Sequence, residues 1–134
     1  MTASSRPVRT ARAAVGSIAH ELRIGAHVLL SDSATAAGGD DLGPSPHELL
    51  DSALASCTAL TLMLYARRKG WRLEGVEAEV SHEEADGVYH MRRAIRLVGG
   101  LAPEERERLL EIANKCPVHR TLSGRFEIAS ALID

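Results

Sequence analysis

One run restricts what this chain can fold into more than any other. Residues 46–69, PHELLDSALASCTALTLMLYARRK, are preceded by Ser45 and followed by Gly70. Ser45 can cap a helix, Pro46 suits its first position, and Glu48 completes a Ser-x-x-Glu start whose side chain can return to the cap. Glycine at the far end is the residue that most readily takes the left-handed conformation closing a helix. The predicted helix is about 36 Å long at 1.5 Å per residue. Leu50, Leu54, Cys57, Leu60, Thr61 and Leu64 share a stripe, and Leu49, Ala53 and Leu62 widen it until only a narrow side is polar. A helix of this kind is expected to be buried on most sides, although the chain has only 134 residues to cover it.

The remaining pattern is shorter in period. Residues 17–30 alternate through Ile18, His20, Leu22 and Ile24, break at Gly25-Ala26 and resume, which predicts a β-hairpin. Residues 31–45 are rich in Gly, Asp, Ser and Ala without apolar period and read as a loop. Residues 73–82 and 88–98 alternate again, with 83–87 as the turn between them. Pro103 then opens a second helix, with Glu104 and Glu105 in its first turn and Lys115 in its last, and Leu109, Ile112 and Cys116 on its inner face. After the short turn PVHRTLSG, the alternation of Phe126, Ile128, Ser130 and Leu132 predicts a closing strand. The order β, β, long helix, β, β, helix, β is α+β, with residues 1–16 as a flexible or edge-strand arm and residues 17–134 as one domain.

Composition narrows the function. At 45% hydrophobic and 3% aromatic, the core must be built from aliphatic side chains, and aromatic stacking platforms are scarce. A formal charge of −2 with scattered Arg and Lys lacks the concentrated basic face that phosphate backbones require, so nucleic acid is excluded as the expected partner. Arg6, Arg9 and Arg12 are followed by no apolar run of the roughly seven to fifteen residues that a secretory signal needs. No uninterrupted apolar stretch approaches the roughly twenty residues of a membrane span. A cytoplasmic protein without membrane attachment is expected.

Two cysteines, Cys57 and Cys116, in a reducing compartment read as buried bystanders, metal ligands or redox partners. Metal is disfavoured by spacing: C-x-x-C and H-x-x-x-H are missing, and the one C-x-x-H, Cys116 with His119, has no second pair. No metal or other cofactor is expected. Cys57 lies mid-helix on the apolar stripe. Cys116 lies where one helix ends and Pro117 can start a new turn, so backbone N–H groups ahead of it and the helix end behind it act on the thiol with opposite signs.

GPSPHELLDSALASCTALTL, followed 59 residues beyond its cysteine by CPVHRTL, resembles the OsmC/Ohr family of osmotically inducible and organic hydroperoxide resistance proteins. The similarity extends to Gly38-Gly39 before the helix, YARRKGW after it and the closing strand, and its GPSP and YARRKGW forms point to a less characterised branch. The resemblance implies an OsmC-like fold with antiparallel sheets around two central helices, in an intertwined homodimer with redox sites at the interface. It implies that Cys57 attacks an organic hydroperoxide, or hydrogen peroxide, to become a sulfenic acid, that Cys116 converts this to a disulfide, and that a dithiol such as a lipoylated protein reduces it.

Better-known members place a Glu ten residues before the reactive cysteine, with an Arg from a preceding strand or loop. Here His47 stands at the Glu position and Glu48 is its neighbour, so both join Cys57 and Cys116 as candidate site residues. Arg12 and Arg23 are the arginines of the first hairpin region that could serve the thiol, against their simpler reading as solvated strand charges. The alternative function is a non-enzymatic redox sensor or a stress protein that binds a small hydrophobic ligand.

Overall fold

The computed structural model describes residues 4–133; the first three residues of the amino-terminal arm and Asp134 lie outside the described residues. Contacts divide the chain into two compact units, residues 1–50 and 51–134.

The first unit carries a three-stranded antiparallel sheet in the order β1-β2-β3, with β1 at Arg9–Arg12, β2 at His20–Ile24 and β3 at His27–Ser31. The expected hairpin is β2–β3, turning at Gly25-Ala26, where Gly25 has φ 59°. Strand β1 pairs along the free edge of β2, Arg9 opposite Arg23 and Arg12 opposite His20. The loop after β3 contains a 3-10 turn at Thr35–Ala37 and is tied internally. Asp32, 5% exposed, receives the backbone N–H groups of Ser33, Asp40 and Leu42 at 2.8, 3.1 and 3.2 Å. Burial pushes its carboxyl up, but the three N–H donors together outweigh that, so it titrates below the usual carboxylate range.

Helix α1, Pro46–Lys69, starts and stops where expected. Ser45 Oγ accepts the Glu48 N–H at 3.2 Å and Glu48 Oε1 accepts the Ser45 N–H at 2.9 Å, a reciprocal capping box. Gly70 takes φ 71° beyond the last turn. By length and composition alone α1 is long and apolar enough to cross a membrane, although Asp, Ser and Thr interrupt its apolar run; the core helix of a water-soluble protein meets the same criteria.

In the second unit, β4 (Gly75–Ala85) and β5 (Val88–Val98) form a long antiparallel hairpin, followed by α2 (Pro103–Ala113) and α3 (Pro117–Leu122). The expected five-residue turn shrinks to Asp86-Gly87, because both residues take positive φ, 53° and 75°, the geometry of a two-residue hairpin turn, and β4 runs on to meet it. Leu62 and Ala66 of α1 pack with Leu109 and Ala113 of α2, all essentially inaccessible, and Val76, Ile95, Leu97 and Ile112 close around them.

Two expectations are corrected here. Within the second unit the buried ridge of α1 is Asp51, Leu54, Thr58, Leu62 and Ala66, whereas Leu60 and Leu64 of the expected stripe are 64% and 49% exposed. A helix apolar on most sides gives period alone no means of choosing its inner face. The expected closing strand is absent among the described residues: 125–133 pair with no strand, and Ile128 is 86% exposed. Alternation supplies two faces but not the neighbouring edge that a strand must bond.

Candidate thiol site

Thr58 and Cys57 are adjacent on α1, one turned fully inward and the other half-buried. Cys116 lies beyond α2 and caps α3, so it does not share the inner face of α2 as expected; Pro117 starts the new helix directly after it. The first turn of α3 then serves both sulfurs: the Val118 N–H donates to Cys57 Sγ at 3.5 Å and the His119 N–H donates to Cys116 Sγ at 3.4 Å. Cys57 Sγ also lies 3.7 Å from Thr61 Oγ1, one helical turn on. Both cysteines are free thiols, Cys116 with no accessible surface.

Over Cys116 lies a guanidinium that the sequence did not nominate. Arg93 of β5 donates through Nη1 to Thr58 Oγ1 at 3.1 Å and approaches Cys116 Sγ at 4.0 Å. Its Nη2 donates to Asn114 Oδ1 at 3.0 Å and to His119 Nδ1 at 3.1 Å. Thr58 passes its own hydroxyl hydrogen to the Leu54 carbonyl at 2.7 Å, leaving its oxygen free to accept from Arg93. Guanidinium has only donors, so His119 Nδ1 is the acceptor and the ring hydrogen resides on Nε2. One fork thereby ties α1, β5 and α3 around Cys116.

An OsmC-like protein model matches residues 38–130, a span that takes in α1, both cysteines and Arg93. The chain belongs to the OsmC-like family. No curated protein matches it by sequence. Among solved structures, a putative osmotic stress induced and detoxification response protein from Psychrobacter arcticus aligns over 90% of each chain with TM-score 0.75 at 19% identity. The OsmC-like protein from Mycoplasma pneumoniae aligns over 92% of this chain and 90% of its own, with TM-score 0.75 at 17% identity. The organic hydroperoxide resistance protein OhrB of Bacillus subtilis aligns over 88% and 91%, with TM-score 0.60 at 19% identity. At these identities the likeness is one of fold: α+β, with antiparallel sheets and helices.

In this OsmC-like chain the other nominated residues are placed differently from the cysteines. Glu48 spends its carboxylate on the Ser45 N–H, and His47 is exposed in the same first turn of α1. Arg23 pairs with Glu21 at 2.6 Å on β2, and Arg12 is exposed on β1. The arginine that contacts a thiol comes from β5, and a signal for it exists. Tyr89, Met91, Ile95 and Leu97 form the half-buried face of β5, and Arg93 occupies their period, whereas Arg92 and Arg96 stand on the exposed face. A charge at an inward position must find partners.

A second polar group joins α1 and β5 to β4. Asp51, 8% exposed, accepts from Tyr89 OH at 2.7 Å and bonds His82 Nδ1 at 2.5 Å, and the two rings stack at 4.4 Å. Burial, then the Asp51 hydrogen bond, then the charges of Asp51 and Glu84 push the Tyr89 phenol far up, so it is protonated at all ordinary pH. Beside Arg93 opens a cleft of about 420 Å³, whose lining includes Leu54, Met91, Ile95 and Leu110 with Tyr89 and His119.

Proposed function

We propose that this OsmC-like protein is a thiol peroxidase that reduces organic hydroperoxides, and hydrogen peroxide, in stress defence. The observation that carries the reading is the pair of free thiols served by consecutive N–H groups of α3, the outer one half-buried and the inner one inaccessible. An incoming peroxide meets Cys57 first. Its sulfur attacks the terminal peroxide oxygen, the O–O bond breaks, and the alkoxide leaves and takes a proton to become an alcohol. The Cys57 sulfenic acid then forms a disulfide with Cys116 and releases water, which protects it from further oxidation. A dithiol, such as a lipoyl group carried on another protein, returns both cysteines to thiols. His47 and Glu48, in the first turn of the helix that bears Cys57, are the further residues assigned to this chemistry. The names of solved relatives from Bacillus subtilis and Legionella pneumophila, organic hydroperoxide resistance proteins, agree with this reading.

The working unit in this reading is a cytoplasmic homodimer. Leu60 and Leu64 form an uncovered apolar face on α1, and residues 125–133 alternate like a strand without an edge to join. A second copy supplies both a facing helix and an open edge.

The cleft beside Arg93 favours one competing reading, a redox-responsive protein that binds a small hydrophobic ligand without turnover. Consumption of cumene hydroperoxide with dihydrolipoamide separates the two. A peroxidase loses turnover in Cys57→Ser and inactivates by overoxidation in Cys116→Ser. Wild-type turnover no faster than that of Cys57→Ser sinks the enzyme and leaves the binder.

A further inference from the structure

Arg93 has an unusual set of partners. Among the described residues, its guanidinium bonds a hydroxyl, an amide oxygen, an imidazole nitrogen and a thiol, and no carboxylate lies within ion-pair distance. A partly buried cation without a counter-ion is costly. Of its four partners, a hydroxyl, an amide, an imidazole and a thiol, only the thiol is a side chain whose loss of a proton gives an anion to face the guanidinium. The groups of α1 that face this place are the Thr58 hydroxyl and the Cys57 thiol; α3 contributes His119, whose Nδ1 is held as an acceptor by Arg93 itself, and Lys115, next in sequence, is exposed. No acidic group among these competes for the guanidinium charge.

We propose that Arg93 is the positioning residue that holds Cys116 as the thiolate that attacks the Cys57 sulfenic acid. The proposal deepens the peroxidase reading and rests on it for the identity of the electrophile. The Cys116 thiolate sulfur attacks the sulfenic sulfur, the S–S bond forms as the S–O bond breaks, and hydroxide leaves and takes a proton from solvent to become water. The Cys116 sulfur is oxidised and the sulfenic sulfur reduced, so the step needs no reagent beyond the hydroperoxide that made the sulfenic acid. The inaccessible Cys116 cannot meet a peroxide in bulk solution, which suits a thiol reserved for this second step. The same fork fixes where the sulfur lies, because Thr58, Asn114 and His119 hold the guanidinium from three sides.

Two readouts on the full-length chain test it. In a Cys57→Ser background, the ultraviolet thiolate absorbance of Cys116 is followed against pH with Arg93, Arg93→Lys and Arg93→Gln. The midpoint is expected to move upward by about one pH unit in Arg93→Gln, a tenfold smaller thiolate fraction at low pH, with Arg93→Lys in between. In the chain with both cysteines, one equivalent of cumene hydroperoxide is added and disulfide formation is followed from the sulfenic acid actually formed; Arg93→Gln should show roughly tenfold slower disulfide formation near neutral pH, and more sulfinic acid by mass spectrometry. Superimposable titrations in all three proteins overturn the proposal. So does disulfide formation with the same rate and pH profile in Arg93→Gln. If wild type forms no sulfenic acid, the peroxidase reading falls, and with it the attack; the titration then still decides whether Arg93 governs the Cys116 charge. Arg93→Lys keeps the test intact where the Gln variant fails to fold.

Discussion

The backbone N–H of Val118 donates to Cys57 Sγ at 3.5 Å, across 61 residues of chain. That bond docks the first turn of α3 onto the middle of α1, and its neighbour, the His119 N–H on Cys116 Sγ, makes the same short helix the common support of both thiols. The half-buried face of β5 supplies the charge at the same place through Arg93.

The support is expected to be sensitive at Thr58, whose side chain is fully buried between the Leu54 carbonyl and Arg93. Thr58→Val keeps the shape but withdraws an acceptor from a charged donor. A loss of about 1–2 kcal/mol is expected in urea unfolding, with slower disulfide formation after peroxide. An unchanged unfolding midpoint would show that the Thr58 bond contributes nothing net.

The Asp51 cluster makes a prediction at the alkaline end. Tyr89 has its folded-state value raised above 10.0, so its contribution is fully present below about pH 10 and is lost as pH rises through the higher folded value. Wild type should lose stability on going from pH 9 to 11, roughly across the unfolded tyrosine range, and Tyr89→Phe should lose less over the same interval. Parallel melting curves for the two proteins across that interval would contradict the assignment.

Asp32 acts at the opposite end. Its folded-state value lies below the ordinary carboxylate range, so its stabilisation is present above about pH 4 and lost as pH falls through the lower folded value. Asp32→Asn should lower the melting temperature at neutral pH, because one amide oxygen replaces two acceptors for three N–H groups. The gap from wild type should narrow in acid. A gap of constant size from pH 7 to 3 would show that the charge is immaterial.

The dimer is tested on α1. Leu60→Glu with Leu64→Glu places charges on the uncovered face without touching the ridge that packs the second unit. Sedimentation is expected to show a dimer for wild type and a monomer for the double variant. A wild-type monomer at micromolar concentration, or a variant dimer of equal affinity, rules that face out as the interface.

Much of the fold was legible along the chain because its signals are local. Ser45, Pro46, Glu48 and Gly70 mark the ends of α1 through bonds made within a few residues, and Gly25-Ala26 marks its hairpin in the same way. The turn at Asp86-Gly87 is narrower than the residues before it suggest, since Glu83, Glu84 and Ala85 look like turn residues until β5 offers them partners. The cysteines drew notice through their motifs and spacing.

Tertiary structure alone decided what those residues meet. Sequence could not choose among the faces of a helix apolar on most sides; the burial of Asp51 and Thr58 chose, by satisfying polar groups against His82, Tyr89 and Arg93. Nor could it select Arg93 over Arg12 or Arg23, because the arginines are chemically alike and only the pleat of β5 turns this one inward. The final alternation of Phe126, Ile128 and Leu132 has strand periodicity and, among the described residues, no strand, for the complementary reason. A period is a property of one segment, whereas a hydrogen-bonded edge, like a counter-charge for a thiol, is a property of two.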